Sequence, residues 1–114
     1  NMALDENSGP HLGGCGNCRG VVTIDSRTGA ITRNVEYYAL AHASRFVRPG
    51  AQRIGSDGMA EGIDHVAFRN ADDGSRVTLI ANAQAVPRRL VLREGGWQLA
   101  VDLPAHGVTT VVWR

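Results

Sequence analysis

The sequence predicts a mostly β protein: an antiparallel β-sandwich preceded by one β-loop-α unit of the kind that repeats in a (β/α)8 barrel. Three observations predict it. After Gly50, short apolar runs recur about every ten residues between turn formers, as in an all-β domain. Only residues 34–47 carry helix start and stop signals. Between the first strand and that helix runs a long connection with glycines at 9, 13, 14, 16 and 20 and a proline at 10. Connections of that length in compact units are usually functional or disordered.

Residues 1–5 read as a short apolar strand ending in the turn formers Asn7-Ser8-Gly9-Pro10. Val21 to Ile24 and Ala30 to Thr32 flank the turn Asp25-Ser26-Arg27-Thr28-Gly29, a small hairpin. Helix 34–47 can be capped by Thr32 or Asn34. Glu36 suits its positive end, Arg45 and Arg48 its negative end, and Pro49-Gly50 stops it. Val35, Ala39, His42 and Phe46 mark one side, and Leu40, Ala43 and Val47 a neighbouring one, so the helix is expected to be buried on two faces. Strands are expected at 52–55, 63–69, 76–82, 87–93, 97–103 and 108–113, with hairpin turns at Asp72-Asp73-Gly74 and Glu94-Gly95-Gly96. Alternation at Val66 and Phe68, and at Leu90 and Leu92, predicts one buried face and one largely wet face. The resulting domain organisation is 1–50 for the barrel-type unit and 51–114 for the sandwich.

Hydrophobic content of 43% and charged content of 20% are those of a globular chain. The formal net charge of +1 gives no field for nucleic acid or an anionic membrane, and all twelve basic residues are scattered arginines. No apolar run is long enough to span a bilayer. The chain opens at Asn1 directly into Met2-Ala3-Leu4, so it is expected to begin inside a strand of a longer protein. The lack of a signal peptide is then silent on localisation.

Specific stretches carry a resemblance. Asn1-Met2-Ala3-Leu4-Asp5-Glu6-Asn7-Ser8-Gly9-Pro10 resembles the last barrel strand of glycoside hydrolase family 30, the glucosylceramidase-like enzymes, with its Gly-Pro turn. Gly13-Gly14-Cys15-Gly16-Asn17-Cys18-Arg19-Gly20-Val21-Val22-Thr23-Ile24-Asp25 is similar to the loop and hairpin of bacterial members. Tyr37-Tyr38-Ala39-Leu40-Ala41-His42-Ala43-Ser44-Arg45-Phe46-Val47-Arg48-Pro49-Gly50 resembles the final barrel helix. The likeness continues through Val66-Ala67-Phe68-Arg69 into the sandwich.

The resemblance implies a retaining β-glycosidase, a TIM barrel plus β-sandwich, acting on glucosylceramide or related β-glucosides and secreted. No cofactor, no metal and no nucleic-acid partner is expected. The resemblance also implies that the missing partners are the N-terminal barrel and sandwich strands of the same parent, so that this piece alone exposes sheet edges. The family's two catalytic Glu residues lie on earlier strands. A retaining pair flanks the sugar at about 5 Å. Asp5 and Glu6 are neighbours on a strand and point to opposite faces, while Glu36, Glu61 and Glu94 fall at a helix start or at turns. No catalytic residue is therefore expected, and the chain alone is expected to be inactive.

Asp5, His11 and Asn17 stand on the strand end and loop that face the active site of such barrels, and are the candidate substrate-binding residues. Asx-type bonds that merely hold the turn are the plainer reading for Asp5 and Asn17. Cys15-Gly16-Asn17-Cys18 lacks a second ligand pair for zinc and a helix for thioredoxin-type chemistry. A disulfide between Cys15 and Cys18 that staples the loop is the favoured reading, with free thiols and a metal pair as the others. Trp97 and Trp113 are read as core, with a sugar-stacking platform as the alternative. The rival function is a non-catalytic sandwich that binds carbohydrate or only buttresses a barrel.

Overall fold

The computed structural model describes residues 1–13, 15–58 and 60–114, so Gly14 of the glycine-rich loop lies outside the described residues. The chain divides into two compact units, Asn1–Ala41 and His42–Arg114.

In the first unit, β1 (Ala3–Leu4) pairs in parallel with β2 (Val22–Ile24), which pairs antiparallel with β3 (Ile31–Arg33). Leu4 is its buried anchor. Gly20 passes so close to β1 that a β-carbon there would sit 2.9 Å from the Leu4 nitrogen and 2.8 Å from the Val22 oxygen. Only glycine lets these backbones approach. The β2–β3 turn is held by Asp25, whose Oδ1 accepts from the Thr28 nitrogen and hydroxyl at 2.6 Å each. Those bonds, with the turn's backbone amides, hold its carboxyl below its ordinary pKa.

Helix α1 (Val35–Ser44) carries the division between the units. Asn34 stands where a cap belongs, but its side-chain Nδ2 donates to the Gly20 carbonyl at 2.8 Å and to Thr23 Oγ1 at 3.0 Å. The side chain thus closes the loop as well as preceding the helix. Within this chain the helix is not covered on the two faces the sequence suggested. None of its residues is buried, and Val35 and Leu40 expose 65% and 52%. Its apolar residues are spread around the axis rather than gathered in one stripe, the pattern of a helix that other elements can cover on more than one side.

The second unit contains β4 (Gln52–Ile54), β5 (Ile63–Arg69), β6 (Arg76–Asn82), β7 (Arg88–Glu94), β8 (Trp97–Leu103) and β9 (Gly107–Trp113). They form a four-stranded sheet in the order β4-β5-β6-β9 and a two-stranded sheet β7-β8, all antiparallel. Ile80, Val101 and Leu103 make the core, with Leu90, Leu92 and Val111 packed around them. The expectation of one wet face fails at β6. Val77 and Ile80 point to opposite faces and are 0% and 1% exposed. A central strand in a covered sheet buries both sides, and on the Val77 side His42 Nδ1 bonds Thr110 Oγ1 at 2.8 Å.

Two buried asparagines clip the ends of β6. Asn70 Nδ2 donates to the Phe46 carbonyl at 3.0 Å and to Ser75 Oγ at 2.9 Å, while its Oδ1 accepts the Arg48 nitrogen at 2.9 Å. These bonds supply the Phe46 carbonyl and the Arg48 amide with partners outside a helical ladder, which accounts for a helix ending at Ser44 rather than 47. At the other end, Asn82 Nδ2 donates to the Val86 and Pro104 carbonyls at 2.9 Å each. Within this chain neither Trp97 nor Trp113 is fully buried. Trp97 is 36% exposed, Trp113 is half-buried, and the rings meet edge to face at 5.3 Å. They stand at strand ends, where the sandwich interior opens, and the Trp113 indole donates to Glu94 Oε2 at 2.6 Å.

Candidate functional site

The candidate site is the connection from β1 to β2, residues 5–20, in the first unit. At its start Asp5 folds the chain back on itself. Asp5 Oδ1 accepts the Asn7 nitrogen at 2.9 Å and the Gly9 nitrogen at 2.7 Å, and the Asp5 nitrogen donates to the Gly9 carbonyl at 2.7 Å. This is an Asx-type turn in which a short carboxylate replaces a backbone acceptor. Ser8 takes a positive φ of 64° to close it. Glu6, one residue on, points elsewhere and accepts Ser26 Oγ at 2.6 Å and the Ser26 nitrogen at 2.9 Å. Those two bonds depress its pKa.

Beyond Pro10 the loop holds a different set. Cys15 and Cys18 form a disulfide, with Cα atoms 5.4 Å apart. His11 lies over the small ring so formed: a β-carbon on Gly16 would meet its Cε1 at 3.7 Å. The terminal amide of Asn17 approaches Cys15 Sγ to 3.1 Å. A disulfide sulfur has no proton to give, so this contact calls for the amide nitrogen on the sulfur side. The loop therefore brings His11, Asn17 and the disulfide together, all exposed, while the hydrogen bonds of the Asp5 carboxylate stay within residues 5–9.

Two ties were not foreseen from the sequence. Arg19 Nη2 pairs with Glu36 Oε1 at 2.9 Å, and Glu6 reaches Ser26 across the loop. The Arg19 bond is the main cause holding the Glu36 carboxyl below its ordinary range. The first pair spans 17 residues and the second 20, so no periodicity announces either. Among the described residues, no cluster of three or more His, Cys, Asp or Glu could hold a metal ion, and no helix is long and apolar enough to cross a membrane.

Residues 50–111 match the glycosyl hydrolase family 30 beta sandwich domain. An endo-1,6-beta-D-glucanase of Neurospora crassa is 39% identical over 89 residues, which are 71% of this chain and 18% of that protein. Among solved structures, the endo-beta1,6-glucanase BT3312 is 36% identical with a TM-score of 0.84, over 99% of this chain and 26% of that one. SrfJ from Salmonella typhimurium is 32% identical with a TM-score of 0.91, over 100% of this chain and 25% of that one. The chain thus spans about a quarter or less of the length of the proteins it matches. A sandwich matched by the family model, together with similarity reaching back through the loop and β1, makes this chain a member of glycosyl hydrolase family 30.

Proposed function

We propose that this chain serves as the C-terminal part of a retaining β-glycosidase, as scaffold and loop donor rather than as the bearer of the catalytic carboxylates. Similarity to the endo-beta1,6-glucanase BT3312 across 99% of the chain carries this reading. In it, residues 1–50 supply the last β-loop-α unit of the barrel and 51–114 the buttressing sandwich. Asp5 shapes the turn at the mouth of the cleft, and His11 and Asn17 present polar groups to the sugar or to the group it leaves. The Glu6, Glu36 and Glu94 carboxylates are engaged by Ser26, Arg19, and Arg76 with Trp113, respectively. A retaining mechanism needs two facing carboxyls, about 5 Å apart and free to trade protons. That requirement supports an inactive chain and an active parent, exported into an oxidising compartment where the disulfide persists.

Glucanase names among the relatives favour a β-1,6-linked glucan as substrate over glucosylceramide, the substrate that the sequence resemblance suggested. The test is hydrolysis by the longer parent protein and by this chain alone, on linear β-1,6-glucan and on glucosylceramide. Turnover of the glucan by the parent and none by the chain is the expected result. Hydrolysis by the chain alone would overturn the assignment of the catalytic groups to the rest of the parent. Parental turnover of glucosylceramide without turnover of glucan would overturn the substrate.

A further inference from the structure

We propose that the Cys15–Cys18 bridge is a thiol-exchange site, open to dithiol reductants in the folded protein, and that opening it loosens residues 10–13 and 15–18 while β1, β2 and β3 stay folded. Four observations carry this. Both cysteines are exposed, so a thiolate can reach either sulfur without unfolding the chain. Among the described residues from Pro10 to Arg19, none makes a backbone–backbone hydrogen bond to the rest of the unit, so apart from the local Gly16–Asn17 turn and the exposed Arg19–Glu36 pair the bridge is a principal restraint on the segment. The base of the loop is held independently, by β1–β2 pairing, by the Asn34 bond to the Gly20 carbonyl and by the Glu6–Ser26 bonds. Finally, the bridge joins residues only three apart. A ring that short removes little chain entropy from the unfolded state, so its effect is on local order rather than on the stability of the unit.

The exchange balances as two thiol–disulfide steps. A dithiol's thiolate attacks one sulfur, forming a mixed disulfide and expelling the other cysteine as a thiolate that takes up a proton. The reductant's second thiolate then attacks the mixed disulfide, leaving as a cyclic disulfide and freeing the second cysteine, which is protonated in turn. Two electrons and two protons pass from reductant to protein. His11, which lies beside Gly16 of the ring, and the Asn17 side chain, whose amide lies against Cys15 Sγ, lose those contacts when the bridge opens. The inference does not depend on which glycoside the parent hydrolyses.

The test treats the longer parent protein in native buffer with dithiothreitol, followed by alkylation and mass measurement of the peptide that carries Cys15 and Cys18, alongside limited trypsin digestion. Both cysteines should be labelled without denaturant. Cleavage after Arg19 should rise about tenfold on reduction, while cleavage after Arg69 and Arg93 stays constant, since proteolysis follows the population of locally open chain. A C15S/C18S double variant should show the high Arg19 cleavage rate with or without reductant. Labelling only in urea overturns the proposal. So does an unchanged Arg19 rate, or a rise shared equally by all three sites.

Discussion

Gly20 is the residue whose replacement should be felt most sharply in the first unit. A methyl there would press on the Leu4 nitrogen and the Val22 oxygen, and backbone atoms cannot swing aside as a side-chain tip can. Gly20→Ala should destabilise the unit by roughly 1–3 kcal/mol, read as faster amide exchange in β1 and β2. Asp73 makes a pH prediction. Its carboxylate is bound by Arg48, Ser75 and Arg114, and the Arg48 contact chiefly holds its pKa well below the usual carboxylate range. A folded-state pKa below the unfolded one contributes stability above the unfolded value of about 4, and that contribution is lost progressively as pH falls from there through the folded-state pKa. Thermal melts of wild type should therefore drop more steeply between pH 5 and pH 3, as round figures around that value, than those of Asp73→Asn. Parallel profiles would remove Asp73 from the account of acid sensitivity. Asp5 and Gly9-Pro10 were legible as a turn because carboxylate-to-amide bonds over two to four residues are a local event. The partners of Glu6 and Arg19 were not, because they are set by how the loop folds over.

Among elements, β6 and its two asparagine clips organise the second unit. Asn70 is 1% exposed and satisfies three groups at once. Asn70→Ala would strand the Arg48 amide and the Phe46 carbonyl, at a cost of about 2–3 kcal/mol in denaturant unfolding. Asn70→Asp would keep the acceptor but set a buried carboxylate oxygen against the Phe46 carbonyl, and should cost at least as much as the alanine change at neutral pH. Leu103→Ala, in the fully buried core, should cost about 2–5 kcal/mol by the same measurement. The strands of this unit could be read in advance to within a residue or two because alternation and turn residues are local. The pairing of β9 with β6 rather than with β8 could not. Alternation says which way a side chain faces and nothing about which neighbour the strand finds. The helix was found, and its covering was not. Apolar residues around α1 suggested burial, whereas exposure in the fold depends on what else packs there.

For the whole molecule, the second unit has an incompletely closed interior. Beside the core runs a groove of about 550 Å³, lined by Ile54, Ile63, Ala67, Leu90, Leu92 and Trp113. Among the described residues β7 is paired on one side only. An unpaired strand next to an apolar groove invites association. The chain produced alone should accordingly appear as concentration-dependent higher-mass species in size-exclusion chromatography with light scattering. Production together with the preceding parent sequence should suppress them. A monodisperse chain with one cooperative melt would contradict this expectation.

By itself the sequence determined the order of the elements, the antiparallel character of the second half and the loop that gathers His11, Asn17 and the cysteines. Turn chemistry, capping and side-chain alternation act over a few residues and leave their mark in the order of the letters. Only the tertiary structure decided that Asn34 closes the loop, that Asn70 ends the helix, that β6 is covered on both faces and that the tryptophans stand at the rim. Each depends on which surfaces meet, and that is settled by burial and hydrogen-bond satisfaction summed over residues far apart in the chain.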